Sequence, residues 1–233
     1  MRKRIRLISR SRIPVLPEFM TDLRALKESQ REGWDREYAS EAPLWRGPPD
    51  FDVPLGESAA VLELGCGDGK TVGGLLRPGR FVVGIDYSPG AIEACGKRFG
   101  SHPGLNLMIS DVCALPFADG SFDAVIAFHI LEHLLADDRA MTILECKRVL
   151  RPSGRVFARV FSVRDMRYGK GKAVERNTFV RGNSIAYHYF SKDEVRNLFG
   201  DFKEESLGER TIDKRFDGED LRRVTLDAIF SRT

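Results

Sequence analysis

Short apolar runs alternate with amphipathic, charge-bearing stretches over most of this chain. Val61-Leu62-Glu63-Leu64 passes into Gly65-Cys66-Gly67-Asp68-Gly69-Lys70-Thr71, after which Val72, Leu75 and Leu76 resume a helical period. Phe81 to Ile85 is a second run closing on Asp86; Ser88 then suits an N-cap, Pro89 the first helical position, and Ala91, Ile92 and Cys95 one helix face. Leu105 to Ile109 is a third run, ending at Ser110-Asp111-Val112, and Phe122 to Phe128 a fourth, followed by His129 and a helix-like Leu131 to Leu135. The pattern predicts an amphipathic helix over 139–150, a turn at Arg151-Pro152-Ser153-Gly154 and a fifth strand over 156–161. Strands alternating with helices argue for a parallel, doubly wound α/β sheet.

Outside that block, Phe19, Leu23, Leu26, Trp34 and Tyr38 recur at helical spacing, and Pro48, Pro49 and Pro54 mark a linker. Ser191 with Glu194 three residues on reads as a capping box. The expected organisation is a basic arm over 1–16, a helical segment and linker over 17–54, and a main domain over 55–233 with a basic insertion at 162–190.

Composition narrows the classes. With 233 residues, 42% hydrophobic and 30% charged, the chain reads as one globular domain with appended segments. No apolar stretch approaches the roughly 20 residues that span a bilayer, and a cytoplasmic location is expected. A net charge of +3 does not by itself imply nucleic acid. The first twelve residues carry Arg2, Lys3, Arg4, Arg6, Arg10 and Arg12 without an acid; a solvated arm, a tail and a transit peptide stay open, and an RNA substrate would give the arm phosphates to meet. Cys66, Cys95, Cys113 and Cys146 lack C-x-x-C spacing and read as packing thiols, and no histidine stands at ligand spacing from them, so no metal is expected. Nothing in the pattern sets an oligomeric state.

The glycine turn carries the chemistry. Gly65, Gly67 and Gly69 permit positive φ and let a ligand approach bare backbone, and the turn opens toward a helix N-terminus. A dinucleotide fingerprint needs a glycine at position 70, where Lys70 stands. Glu-Leu-Gly-Cys-Gly-Asp-Gly instead resembles the first motif of class I S-adenosylmethionine methyltransferases. Gly84-Ile85-Asp86-Tyr87-Ser88-Pro89, Asp111-Val112-Cys113-Ala114-Leu115-Pro116-Phe117, Ser121-Phe122-Asp123-Ala124-Val125 and Leu150-Arg151-Pro152-Ser153-Gly154 resemble that family's later motifs, closest in style to its ubiquinone and menaquinone C-methyltransferase (type 11) branch. The resemblance implies a Rossmann-like, seven-stranded, mostly parallel sheet with one antiparallel strand, for which Val224 to Phe230 has the alternation.

It also implies S-adenosylmethionine as cofactor and S-adenosylhomocysteine as product. Asp86 then accepts from the ribose hydroxyls, Asp111 from the adenine amine, and Glu63 sits near the cofactor's amino group. Singly each acid reads as a turn residue or cap; three at successive strand ends mark a site. Gly65, Cys66, Gly67, Gly69, Tyr87, Val112 and Phe128 complete the expected cofactor side, and a W-D-x-x-Y segment like that of relatives nominates Tyr38 and Arg46 for the cofactor's carboxylate. The loop after the fourth strand faces the methyl in this family, which makes His129 the first candidate base and His133 the second, with plain packing as the alternative for both.

The acceptor side is read from the basic insertion. Arg164, Arg167, Lys170, Lys172, Arg176 and Arg181 outnumber Asp165 and Glu175, and Tyr187-His188-Tyr189-Phe190 follow. That suits an anionic or nucleic-acid acceptor, or a solvated insertion packed by its aromatics. Asp165-Met166-Arg167-Tyr168, Asn177 to Gly182, Tyr189-Phe190 and Thr211 to Arg215 partly resemble eukaryotic 3-methylcytidine tRNA methyltransferases, which nominates Arg164, Arg167 and Arg181, with Tyr187 and Tyr189, as substrate-side residues. A small-molecule acceptor is the leading expectation and RNA the second. A non-catalytic module that binds the cofactor is the rival from another class, and Lys70 opposes a nicotinamide enzyme.

Overall fold

A computed structural model describes residues 17–39, 51, 53–216 and 219–233. The basic arm, Pro48, Pro49 and Arg46 lie outside the described residues. The main sheet is built from β1 (Ala60–Leu64), β2 (Phe81–Asp86), β3 (Leu105–Ile109), β4 (Phe122–Phe128), β5 (Leu150–Phe161), β9 (Phe202–Phe216) and β10 (Glu219–Arg232); between β5 and β9 run the short strands β6 (Lys172–Glu175), β7 (Thr178–Val180) and β8 (Ala186–His188). The order across the main sheet is β3-β2-β1-β4-β5-β10-β9. β10 runs antiparallel to both neighbours, and the pairs from β3 through β5 are parallel. This is the seven-stranded, mostly parallel arrangement that the resemblance implies.

The apolar runs are continuous because both faces of the sheet are covered. Alternate residues go to opposite sides: Val61, Val82, Ala124, Ile126 and Phe157 join one buried cluster, and Leu62, Val83, Val125, Ala127 and Ala158 the other. Helices α2 (Lys70–Leu75), α3 (Pro89–Phe99), α4 (Ala136–Val149) and α5 (Lys192–Leu198) connect the strands. Ser88 caps α3 by accepting from the Ala91 amide at 3.3 Å. Ser191 caps α5 by accepting from the Glu194 amide at 3.2 Å, while the Glu194 carboxylate takes the Nε2 of buried His188 at 2.9 Å. Only the serine half of the expected capping box therefore acts at the cap.

Three expected boundaries move. The helical period after the glycine turn stops at Leu75. The stretch expected as helix-like over Leu131 to Leu135 is one 3-10 turn, Leu131–His133. Residues 151–154 are not a free turn: Phe122 already pairs with Leu150, and the register resumes at Ala124 with Arg155 after an irregularity. Ser153 at φ 63° lies within that irregularity.

The basic insertion forms a three-stranded antiparallel sheet, β6-β7-β8. It is tied to the main sheet by a bridge between Ser162 and Phe190 and by Asp165, whose Oδ2 accepts from the Val224 amide at 2.9 Å. Helix α1 (Pro17–Tyr38) lies against both the insertion and α3. The Gln30 side chain accepts from the Ala186 amide at 3.1 Å and donates to the His133 carbonyl. Ser88 Oγ donates to Asp35 at 2.6 Å. Gly33 is buried at the contact, where a Cβ would sit 2.6 Å from the Asn183 carbonyl oxygen. Close approach, not flexibility, accounts for a glycine inside this helix. Among the described residues no helix is long and apolar enough to cross a membrane.

Candidate active site

Order reversal at β1, whose neighbours are β2 on one side and β4 on the other, opens a crevice beyond the strand ends. A cavity of about 940 Å³ occupies it, roofed by α1. Its inner end is the turn after β1. Gly65 and Gly67 have φ of 64° and 53°, in the left-handed region that side chains avoid. A Cβ on Gly67 would lie 2.6 Å from Tyr38 Oη, and one on Gly65 2.8 Å from Ile130 Cδ1, so the bare backbone itself forms the wall.

Asp86 closes β2 beside this turn. Its Oδ2 accepts from the Gly67 amide and its Oδ1 from the Ser88 amide, both at 3.0 Å. Burial pushes the carboxyl up to about 6, and the backbone amides pull the other way. Tyr38 faces the same turn from α1; burial, then the charge of Asp86, raises its phenol far above the ordinary range and keeps it a neutral donor. Tyr87 is raised for the same leading reason, and its hydroxyl reaches the Gln30 carbonyl at 3.4 Å. Asp111 stands exposed at the rim with Ile109 and Val112, its Oδ1 accepting from the Cys113 amide at 2.8 Å. Cys66 and Phe128 also line the cavity.

Two expected cofactor residues do not. Gly69 and Glu63 lie behind the turn. Glu63 is buried, its Oε2 lacks a hydrogen-bond partner, and burial raises its carboxyl well above the usual range.

The outer end of the cavity lies past β4. His129 has φ 59°, its amide donates to the Arg159 carbonyl at 2.9 Å, and its Nδ1 is 2.7 Å from Glu132 Oε1. His133 is buried and donates from Nδ1 to the Ala186 carbonyl at 2.9 Å; burial lowers its pKa and keeps it neutral. Trp34 and Tyr187 meet its ring edge-on at 4.8 and 5.1 Å. The packing alternative describes His133 better than a base does. His129 keeps an open face on the cavity.

Arg159 on β5, Arg210 on β9 and Arg223 on β10 line the far wall with Phe161 and Thr225. Arg159 meets Asp227 through two contacts, 2.8 and 2.6 Å, and lies over the Phe128 ring at 5.2 Å. Arg223 reaches Asp165 at 3.3 Å, and burial lowers its pKa. These arginines, with Gln30 and Phe161, were not among the residues expected at the site, whereas Trp34 belongs to the W-D-x-x-Y segment expected there. A signal existed for one of them, since Arg159 interrupts an otherwise apolar strand.

The nominated acceptor residues back this wall without lining the cavity. Arg167 pairs with Asp165 at 2.7 Å and stacks over Phe161 at 4.1 Å. Arg181 lies over Tyr187 at 4.0 Å and donates to the hydroxyl of buried Tyr189. Arg164 is exposed and pairs with Glu209 at 2.8 Å. Among the described residues no three His, Cys, Asp or Glu side chains gather as a metal site.

Residues 62–158 match the family model described as a methyltransferase domain. The tRNA N(3)-cytidine methyltransferase METTL2 of Danio rerio is 28% identical over 192 residues, 76% of this chain and 54% of its own length. Human METTL2B is 32% identical over 151 residues, 60% of this chain and 40% of its own. The chain thus spans about half the length of the curated relatives it matches. Among solved structures, a SAM-dependent methyltransferase of Methanosarcina mazei superposes with TM-score 0.66 at 22% identity, covering 76% of this chain and 94% of that one. The 1,6-didemethyltoxoflavin-N1-methyltransferase of Burkholderia thailandensis, solved with its substrate and S-adenosylhomocysteine, gives 0.57 at 19% identity, covering 93% and 84%. At such identities the structures show a shared fold.

Proposed function

We propose that this chain, which carries a class I S-adenosylmethionine-dependent methyltransferase domain, transfers the cofactor's methyl group to a compact, planar, anionic acceptor held in the outer half of the same cavity. One observation carries the reading: a single cavity has a bare-backbone turn with Asp86 at one end, and Phe161 with Arg159, Arg210 and Arg223 at the other. The inner end fits the cofactor. A Cβ would fill the cradle at Gly65 and Gly67, and the Asp86 carboxylate is held by two amides at the cavity wall, which suits it to accept from ribose hydroxyls. Asp111 suits the adenine amine, with Val112 and Ile109 as apolar contacts, and neutral Tyr38 suits the carboxylate end. When bound, S-adenosylmethionine supplies an electrophilic methyl on a sulfonium. What remains for the chain is to align a nucleophile with that methyl and exclude water.

Phe161 and Trp34 give the outer half flat apolar surfaces, and the arginine wall gives it positive charge. A compact acceptor is preferred because Arg159, Arg210 and Arg223 line the cavity itself, whereas Arg164, Arg167 and Arg181 lie outside its lining. A second reading, a tRNA nucleotide, is supported by relatives named for cytidine N(3) methylation that match up to 78% of this chain.

The test is methyl-labelled S-adenosylmethionine added to a cell extract that is then split into small-molecule, lipid, RNA and protein fractions, with Asp86→Ala protein as the blank. Label among small molecules is expected. Label confined to RNA would install the second reading, and no label with S-adenosylhomocysteine binding intact would leave a non-catalytic module.

A further inference from the structure

The turn between β4 and α4 contains a buried acid whose position packing does not explain. Glu132 has no exposed surface; its Oε1 meets His129 Nδ1 at 2.7 Å, and its Oε2 has no hydrogen-bond partner. A buried carboxylate kept for stability alone is normally saturated by amides or an arginine, because each unmet oxygen costs free energy. His129 in turn occupies a left-handed conformation, φ 59°, that side-chain-bearing residues enter only at an energetic cost. The two costs fall on adjacent turns of chain at the junction of the cofactor half and the acceptor half of the cavity. With Nδ1 committed to Glu132, Nε2 is the ring nitrogen left to meet an acceptor.

We propose that Glu132 is a positioning residue that holds His129 in the Nδ1–H tautomer, so that His129 Nε2 takes a proton from the acceptor as the acceptor is methylated. The inference rests on the methyltransferase reading and narrows the acceptor to one that loses a proton at the reacting atom, such as a hydroxyl or a ring or amide N–H. In the balanced step the acceptor atom bonds to the methyl carbon while the carbon–sulfur bond breaks toward sulfur. The acceptor's proton passes to Nε2, and the resulting imidazolium is offset by Glu132. The N3 atom of cytidine, for which the tRNA relatives are named, carries a lone pair and no proton, so methylation there asks nothing of a base. The pair therefore separates the compact-acceptor reading from the tRNA one.

Glu132 and neutral His133 lie on the same turn as His129, Arg159 on β5, and Arg167 and Arg223 stack on Phe161, whose ring is 5.1 Å from that of His129. Asp227 pairs with Arg159, and Asp165 with Arg167 and Arg223, so Glu132 is the carboxylate in contact with the His129 ring itself.

The test uses the full chain, nitrogen-15 labelled and saturated with S-adenosylhomocysteine. Imidazole nitrogen shifts are expected to report His129 protonated at Nδ1 and bare at Nε2, and Glu132→Gln to shift it toward Nε2–H. Methyl transfer into the labelled fraction is then followed against pH. His129→Gln and Glu132→Gln are each expected to lower the rate about 100-fold, with S-adenosylhomocysteine affinity within about threefold of wild type. In His129→Gln the dependence of the rate on pH is expected to be lost. Wild-type His129 protonated at Nε2, or folded variants that transfer at the wild-type rate, would overturn the pair while leaving the methyltransferase reading intact. Failure to bind S-adenosylhomocysteine at the outset would instead remove the reading on which the pair rests.

Discussion

At the scale of single residues, Asp86 is the proposed ribose acceptor of the cofactor half. Replacing it with alanine removes a charge-assisted acceptor and is expected to weaken S-adenosylhomocysteine binding by about 1–3 kcal/mol in calorimetry. The same carboxyl supplies a pH signature. Burial raises it to about 6, so it gains a proton, and loses its acceptor strength, as pH falls through that value. Affinity should therefore drop between pH 7 and 5 in wild type, and Asp86→Asn should flatten the profile; a wild-type profile that is already flat would take Asp86 out of the ribose contact. Gly67→Ala meets two obstacles, a φ of 53° and Tyr38 Oη at 2.6 Å from the new Cβ. It should abolish measurable cofactor binding, with partial recovery in Gly67→Ala/Tyr38→Phe. These inner residues were legible because each stands in a short local pattern, Gly65-Cys66-Gly67, Gly84-Ile85-Asp86 and the W-D-x-x-Y segment that ends at Tyr38. The outer residues were not, because Arg159, Arg210 and Arg223 come together only through the pairing of β5, β10 and β9.

At the scale of elements, the apolar runs announced the parallel strands, since strands covered on both faces have no polar alternation to confuse the reading. The ends of elements were harder. Leu150 leaves α4 and enters β5 without an intervening loop, so Arg151-Pro152-Ser153-Gly154 carries the composition of a turn but the pairing of a strand entrance. The insertion read as a basic loop because β6, β7 and β8 are 4, 3 and 3 residues long, too short for a period to show. Helix α1 was legible, and its W-D-x-x-Y segment pointed it at the cofactor, but its contacts with Ala186, Asn183 and Ser88 are encoded by no local pattern. Gly33→Ala tests that role. Propensity alone would stabilise the helix by about 1 kcal/mol, yet the added Cβ meets the Asn183 carbonyl at 2.6 Å. Faster hydrogen exchange over α1 and weaker S-adenosylhomocysteine binding are expected, whereas a tighter helix with unchanged binding would remove α1 from the roof.

At the scale of the whole molecule, Asp165 knots the insertion to the sheet. Its side chain is fully buried among Arg167, Arg223 and the Val224 amide. Burial alone would raise its carboxyl, but Arg167 and the Val224 amide hold it below the usual range. A depressed folded-state pKa gives stability that is present above the unfolded value near 3.9 and lost as pH falls through the folded one. Asp165→Ala strands two arginines and should cost about 3–5 kcal/mol at neutral pH in denaturant melts. A loss below about 1 kcal/mol would mean the arginines re-pair.

The knot also fixes Arg223 and Phe161 as one wall of the cavity, the wall proposed to bind a compact anionic acceptor beside the cofactor. The most direct measurement compares label recovered in the anionic small-molecule fraction from wild-type and Arg223→Ala protein, with S-adenosylhomocysteine affinity measured on the same samples. Label is expected in that fraction, reduced at least about tenfold by Arg223→Ala, with cofactor affinity unchanged. Label found only in RNA, or equal label from both proteins, would contradict that proposal.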